Sequence, residues 1–529
     1  MKWNAWGDPA AATPLSDGIQ SLLKQAIGLP DTTEAERDPE QVRLRPCALS
    51  REDQDELAKI VGTEFFRTAD RDRLLHAGGK STPDILRRKN PDVQDAPDAV
   101  LLPGGPGAEE TVAAVLRYCS DHGIAVVPFG GGSSVVGGLE PVRGTFGAVV
   151  SLDLRRFDQL LWINHVSGEA ELGAGVTGPE AERLLGEHGF SLGHFPQSFE
   201  FATVGGFAAT RSSGQDSAGY GRFNEMVVGL RVITPVGALD LGRAPASAAG
   251  PDLRQLFVGS EGVFGVITRV RLRVHPIPET VRYEAWSFPD FATGTAALRA
   301  VTQTGTGPTV IRLSDEAETG VNLATTESIG EQQITGGCLA ITLFEGTKEH
   351  AQSRHAETRA LLEAHGATSL GEQPARAWER GRFAAPYLRD SLLAVGALCE
   401  TIETATSWSN IPALKTAVTE ALMTSLAESG TPALVMCHVS HVYPTGASLY
   451  FTVVAGQRGN SIDQWQAAKK AASDAMMSTD ATITHHHAVG TDHRPWMRDE
   501  VGELGVELLR AVKATLDPAG ILNPGKLIP

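Results

Sequence analysis

The sequence predicts an α+β protein of two lobes. Helical and strand periods alternate from residue 99 onward, the break Pro276-Ile277-Pro278 interrupts them, and a second alternating stretch comes after it. A chain of 529 residues is also too long for one hydrophobic core. The expected division is an N-terminal mixed region over residues 1–92, a first lobe over 93–277, a second over 278–490, and a C-terminal helix and tail over 491–529.

Residues 1–92 are polar and mixed, and no chemistry declares itself there. Ser50 is positioned to cap a helix running to Glu64, with Asp53 at the capping-box position. A polar connection over residues 90–97 leads to strand 99–102, helix 108–122 and strand 124–128, then a glycine-rich loop and strand 148–154.

That loop is Pro128-Phe129-Gly130-Gly131-Gly132-Ser133-Ser134. Consecutive glycines followed by serines let several backbone N–H groups converge on one anion, most often a phosphate. No Gly-Lys-Ser/Thr ends it and a strand comes next, unlike the P-loop of nucleotide hydrolases. Its neutrality suggests a diphosphate held by backbone donors without metal or lysine. Residues 173–178 spell G-x-G-x-x-G, but no acid stands at the distance ribose recognition needs, so they read as a tight turn into a helix over 179–188.

Residues 193–213 crowd small residues and hydroxyls around Gly205 and Gly206, where main chain can come close to a flat ligand. Ser198, Thr203, Thr210, Ser212 and Ser213 can hydrogen-bond it, and Arg211 can meet an anion. An apolar strand from Glu225 stops at the turn Pro235-Val236-Gly237. Gly262 and Gly265 bracket another place where backbone can press on a planar ring, before a β-rich run to Val274.

In the second lobe the pattern gives strands over 309–313, 338–344 and 447–454, and helices over 349–365 and 411–429. Residues 378–389 and 401–408 are polar and aromatic, as a pocket rim would be. The last helix, over 498–516, carries Val501, Leu504, Leu508, Leu509 and Val512 on one expected face.

Composition narrows the function. A net charge of −17 argues against a nucleic-acid partner. The five cysteines are scattered with no CxxC pair, which disfavours a disulfide framework or structural zinc and fits a reducing compartment. No apolar run reaches transmembrane length and the N-terminus lacks a signal-peptide core, so a cytoplasmic protein is expected. Peripheral contact with a membrane stays open.

Three polar features stand out. In an extended His485-His486-His487, the outer two rings would share a side and His486 would not, so the three cannot easily ligate one metal. They read as catalytic or phosphate-binding, as a plain polar loop, or as part of a metal site with His438 and His441. Tyr450 sits on an apolar strand-like run where a core tyrosine is ordinary, with Tyr443 as its rival. Arg389 precedes Asp390, so it is either a structural ion pair or a phosphate clamp.

The loop 128–134, the 193–213 stretch and Gly259–Thr268 together resemble the vanillyl-alcohol-oxidase (PCMH) type FAD-binding domain. Within that superfamily the chain is most similar to the alkyldihydroxyacetonephosphate synthases. The echoes are Lys2-Trp3-Asn4-Ala5-Trp6-Gly7, Gly193-His194-x-Pro196-x-Ser198-x-Glu200-Phe201, Thr203-Val204-Gly205-Gly206, Leu343-Phe344-Glu345-Gly346, Pro386-Tyr387-Leu388-Arg389-Asp390 and His485-His486-His487-x-Val489-Gly490.

The resemblance implies a two-subdomain FAD-binding domain, an α/β cap for substrate and a final helix returning to the flavin domain. It implies FAD contacts at Pro128, Phe129, Gly130, Gly131, Gly132, Ser133 and Ser134; at Pro196, Gln197, Ser198, Phe199, Glu200, Phe201 and Ala202; at Ala209, Thr210, Arg211 and Ser212; and at Glu261, Gly262, Val263, Phe264, Gly265, Val266 and Ile267. It implies a catalytic Tyr450, a required Arg312, substrate contact by Arg389 and essential histidines at 485–487. The implied reaction exchanges the acyl group of acyl-dihydroxyacetone phosphate for a long-chain alcohol through the flavin N5. The tail Asn523-Pro524-Gly525-Lys526 departs from the family and keeps open a second reading, an FAD-dependent oxidase or dehydrogenase of a 2-hydroxy acid or alcohol. The FAD is expected to be non-covalent, because no histidine or cysteine occupies loop 128–134. A lipid-like substrate and a homodimer are the expected partners.

Overall fold

A computed structural model describes residues 1–12, 14–29, 39–89, 93–325 and 337–529. The connection expected at residues 90–97 begins outside the described residues, at 90–92.

The first lobe holds two sheets. In one, Ala99–Leu101, Ala148–Asp153 and Ile124–Phe129 run parallel, with Phe66–Arg67 antiparallel at the edge. Ala148–Asp153, covered on both faces, is buried along its whole length, as parallel strands require. Ala108–His122 crosses over it and ends at Gly123 in the left-handed region. The second sheet is antiparallel, in the order Leu160–Asn164, Glu169–Gly173, Val266–Arg273, Val227–Thr234, Gly237–Leu241. Residues 173–177 form the expected tight turn into a helix, Gly178–Gly186.

Ser50 caps Arg51–Val61 as the capping box predicts: its Oγ accepts from Asp53 N at 3.0 Å, and its N–H donates to Asp53 Oδ2 at 3.3 Å. The helix stops at Val61 rather than Glu64, because Gly62 turns to φ +91°. The strand expected from Glu225 begins at Val227. Phe223–Met226 coils first, with Arg222 N–H donating to Glu225 Oε2 at 2.7 Å.

The second lobe is one seven-stranded antiparallel sheet, ordered Thr368–Gly371, Thr280–Phe288, Cys338–Gly346, Val310–Ser314, Ala433–Tyr443, Gly446–Gly456, Ala397–Ser407. Residues alternate across it with period two. Cys437, Val439, Leu449, Phe451 and Val453 face the helices Phe291–Thr304, Ile411–Glu428 and Ser461–Ser478 and build the largest core. Their neighbours Met436, His438, Tyr450 and Thr452 face a cavity on the other side.

The C-terminal helix, Met497–Leu516, corrects the expected face. Gly502 adopts φ 74° and ψ 165°, which breaks the helical period and rotates the later turns. Leu509 and Val512 pack on the first lobe, but Val501, Leu504 and Leu508 are 41, 84 and 62% exposed and Val506 is fully buried. The tail then returns to the parallel sheet, where Val126 N–H donates to Ile521 O at 2.9 Å and Asn523 N–H to Val126 O at 2.8 Å. Val506→Ala should therefore lower unfolding free energy by roughly 1–3 kcal/mol. Leu504→Ser should change it by less than about 0.5 kcal/mol. Chemical denaturation of the purified variants checks both.

Candidate active site

A cavity of about 770 Å³ lies where the lobes meet. The first lobe contributes glycine-rich main chain. The cap sheet contributes polar side chains, and a third wall is apolar.

The glycine loop leaves strand Ile124–Phe129 and curls back on itself. A Cβ on Gly131 would lie 2.0 Å from Phe201 O, one on Gly130 2.4 Å from Thr203 Oγ1, and one on Gly132 (φ +71°) 2.7 Å from the Phe129 ring. The missing side chains thus point into protein. Glycine is needed for the loop's own packing, and that packing leaves main chain on the cavity side. No protein acceptor meets the N–H groups of Gly131, Gly132, Ser133 and Ser134 among the described residues. Bordering the cavity without a protein partner, these four are available to a ligand.

On the cap side, Tyr450 is in register with Glu403 on one neighbour strand and His438 on the other. Opposed residues of antiparallel strands share a face. The Tyr450 hydroxyl donates to Thr401 Oγ1 at 3.0 Å, and its ring stacks on His438 with centroids 4.9 Å apart. Burial pushes the Tyr450 phenol well above its ordinary value, so it stays protonated. Arg312 Nη2 donates to Glu318 and lies 3.1 Å from His438 Nδ1, which is 2.9 Å from Glu318 Oε2. Burial pushes the Glu318 carboxyl up, but His438 and Arg312 outweigh it and hold it at about 2.

The histidine run is not extended, and the alternation expected for it fails. The backbone N–H groups of His485, His486 and His487 all donate to the buried Glu403 carboxylate, at 2.7, 3.2 and 2.9 Å. That curl brings His485 Nδ1 to 2.9 Å from His486 Nδ1. His485 Nε2 meets the Tyr443 hydroxyl at 2.5 Å, which gives Tyr443 its own role as a support. His486 and His487 line the cavity. Burial lowers His487 to about 3 and holds it neutral. Burial likewise pushes His441 and His485 well below the usual range. Nitrogens of His441, His485 and His486 lie within 4.8 Å of one another, so the curl gathers three imidazoles that an extended run would have separated.

Downstream, the segment crosses to the first lobe. Val489 and Gly490 N–H donate to Glu261 at 3.1 and 2.8 Å. Burial pushes the Glu261 carboxyl up to about 7. Asn523 Nδ2 donates to Glu261 O at 2.6 Å and Gly138 O at 3.2 Å, so the unusual tail is part of this wall.

Arg389 is buried. Its Nε and Nη2 donate to Asp390 Oδ1 at 3.1 and 2.9 Å, and its Nη1 to Lys80 O at 2.5 Å. An arginine has five N–H groups, so these three bonds leave two at the cavity it lines. The structural pair and the clamp are compatible.

Two family models match the chain: an FAD-binding domain at residues 97–241 and the C-terminal domain of FAD-linked oxidases at 277–527. The alkyldihydroxyacetonephosphate synthase of Trypanosoma brucei brucei is 32% identical over all of this chain and 92% of its own. The Dictyostelium discoideum synthase is also 32% identical, over all of this chain and 93% of its own. A solved alkyldihydroxyacetonephosphate synthase superposes with a TM-score of 0.85 at 29% identity, over 100% of this chain and 98% of the other.

The chain belongs to the alkyldihydroxyacetonephosphate synthase family.

FAD is the cofactor. The four unpartnered N–H groups and the neutral loop fit its diphosphate, and Gln197, whose Nε2 is buried without a partner, lines the same wall. Of the flavin contacts expected for this synthase-family chain, residues 128–134 and 196–198, with Ala202, Ala209, Thr210, Ser212, Glu261, Gly262, Gly265 and Ile267, line the cavity. Others stand behind it. Phe199 stacks on Phe383, Phe201 meets Trp6 edge-on, Glu200 is exposed, and Val263, Phe264 and Val266 are buried in the lobe. Arg211 is occupied, donating to Val258 O at 3.0 Å and Gln255 Oε1 at 2.8 Å.

Sequence reasoning missed Glu403 and the apolar wall. Glu400 and Glu403 interrupt the β-prone run Ala397–Ser407, and a carboxylate inside a strand is a signal for a buried acceptor. Helix Asp17–Ile27, within the polar N-terminal region, carries Ile19, Leu22, Leu23, Ala26 and Ile27 at helical spacing, and all five line the cavity.

Gly131→Ala should weaken FAD binding roughly 5- to 150-fold and lower the FAD content of purified protein, since the added methyl displaces the loop at a cost of roughly 1–3 kcal/mol. Absorbance near the flavin bands, with circular dichroism as the folding control, reads it. Glu261 has a folded-state pKa raised above its unfolded value, so its contribution favours the fold below about 4.5 and is lost as pH rises through about 7. Glu261→Gln should flatten that fall. Thermal melts of both proteins from pH 5 to 8 should show the variant gaining on the parent with rising pH.

Proposed function

We propose that this chain is an FAD-dependent alkylglycerone-phosphate synthase, exchanging the acyl group of acyl-dihydroxyacetone phosphate for a long-chain alcohol. One observation carries the reading: one cavity joins the diphosphate loop, a polar floor and an apolar wall of the kind hydrocarbon would lie against. In the exchange an ester C–O bond to the dihydroxyacetone carbon breaks, the alcohol oxygen bonds that carbon, and the alcohol proton ends on the departing carboxylate. Bound FAD supplies a nucleophilic ring nitrogen, with no net electron transfer.

The chain's own residues then have distinct tasks. Arg389 offers its two remaining N–H groups to the phosphate. His487, held neutral, accepts a proton from the carbon next to the carbonyl, with His486 beside it. Tyr450, held protonated, donates to the carboxylate as it leaves. Arg312, fixed by Glu318, steadies the same developing charge. His485 supports the pair from behind, against Tyr443.

No described helix is long and apolar enough to cross a membrane. The apolar wall ends at Ile19, Leu22 and Leu434, which are 37, 64 and 37% exposed. A long-chain alcohol resides in bilayers, so peripheral membrane contact at this end belongs to the reading. So do a cytoplasmic location, a non-covalent FAD and a homodimer.

Two measurements test it. Mixed anaerobically with acyl-dihydroxyacetone phosphate and hexadecanol, the enzyme should release fatty acid and form an ether product with its flavin oxidised at the end. Lasting bleaching that oxygen reverses would instead mean a dehydrogenase. Tyr450→Phe should lower turnover by roughly 100-fold or more with FAD retained.

A further inference from the structure

The first eight residues, where sequence reading found no chemistry, are tied to the rest of the protein by four side chains. Lys80 Nζ donates to Lys2 O and, at 3.3 Å, to Trp3 O. Arg88 Nη1 donates to Trp3 O at 2.6 Å. Trp6 N–H donates to Asp390 Oδ2, and Asp8 N–H to the Tyr387 hydroxyl at 3.2 Å. The segment closes on itself, with Lys2 N–H donating to Gly7 O at 2.9 Å, and Trp3, Asn4 and Trp6 are buried.

One of these ties reaches the side chain that holds Arg389. The Asp390 carboxylate is divided: Oδ2 takes the Trp6 amide, and Oδ1 takes Nε and Nη2 of Arg389. The remaining anchor of Arg389 is Lys80 O, and Lys80 N–H donates to Ser134 O at 2.6 Å, on the diphosphate loop. Main chain from the N-terminus thus fixes the carboxylate that fixes the arginine. An unfixed carboxylate would leave Lys80 O as the one fixed anchor of the guanidinium, about which it could turn from the cavity. Gly7 makes the fit specific. It sits at φ +61° against Tyr387, and a Cβ there would lie 2.1 Å from the Tyr387 hydroxyl oxygen.

We propose that residues 2–8 are a positioning element of the phosphate-binding site, setting Arg389 through Asp390. This rests on the reading that Arg389 holds the substrate's phosphate.

The test uses full-length, FAD-loaded enzyme and separates the two claims. Gly7→Ala pushes the segment off Tyr387 at a residue that does not itself line the cavity, although its neighbour Trp6 does, and Asp390→Asn weakens the carboxylate's hold on Arg389. Each should raise KM for acyl-dihydroxyacetone phosphate about tenfold, with kcat within about twofold, KM for the alcohol unchanged and FAD content retained. Because both act through one carboxylate, the double variant should be no worse than the worse single. Asp390→Glu should recover part of the loss. Multiplied effects in the double variant, or a fall in kcat and FAD content with KM unmoved, would show a merely structural segment and overturn the inference. Arg389→Lys is the control for the underlying reading. If it leaves that KM unchanged, Arg389 does not hold the phosphate. If it raises KM while Gly7→Ala and Asp390→Asn do not, the phosphate reading stands and the positioning role falls.

Discussion

Two buried carboxylates hold one stretch of main chain between the lobes, and the site is built around that stretch. Glu403 on the cap sheet takes three successive N–H groups from His485–His487, and Glu261 on the flavin lobe takes the two from Val489 and Gly490. A buried carboxylate is costly unless its lone pairs are filled. Filling them with consecutive amides forces the chain to curl, and the curl decides where the imidazoles point. The same five bonds fasten the cap to the flavin lobe, so the relation of the glycine-rich wall to the polar floor does not depend on side-chain packing alone.

The cap sheet adds a division of labour. Strict alternation sends apolar residues to the helices and His438, Tyr450 and Thr452 to the cavity. Cross-strand register then lines up Glu403, Tyr450 and His438 from three different strands. Each polar group is met by another: Glu318 with Arg312 and His438, Thr401 with Tyr450, Asp390 with Arg389. Burial, more than this network, holds the phenol protonated and His485 neutral.

Much of this was legible in the chain. Strand and helix periods placed most of the elements they revealed to within a residue or two, since 108–122, 411–428 and 446–456 each carry a clean period, but they left strands 280–288, 397–407 and 433–443 of the cap sheet unread. The capping box at Ser50 is a local hydrogen-bond pattern and was readable as one. Where reading failed, a non-local or single-residue event intervened. Gly502 turned the last helix, Glu403 bent the histidines, and an N-terminal helix whose stripe was visible found its partner in a sheet some 400 residues away.

By itself the sequence determined the flavin loop, the family and the set of residue types able to do the chemistry, because glycine runs, turn chemistry and periodicity act over a few neighbours. Which of those side chains meet was decided by tertiary structure. Sheet register puts Tyr450 beside His438, and Asp390 joins the N-terminus to Arg389 across 384 positions. Such contacts form once buried charges must find partners wherever the fold offers them, and no local pattern records that search.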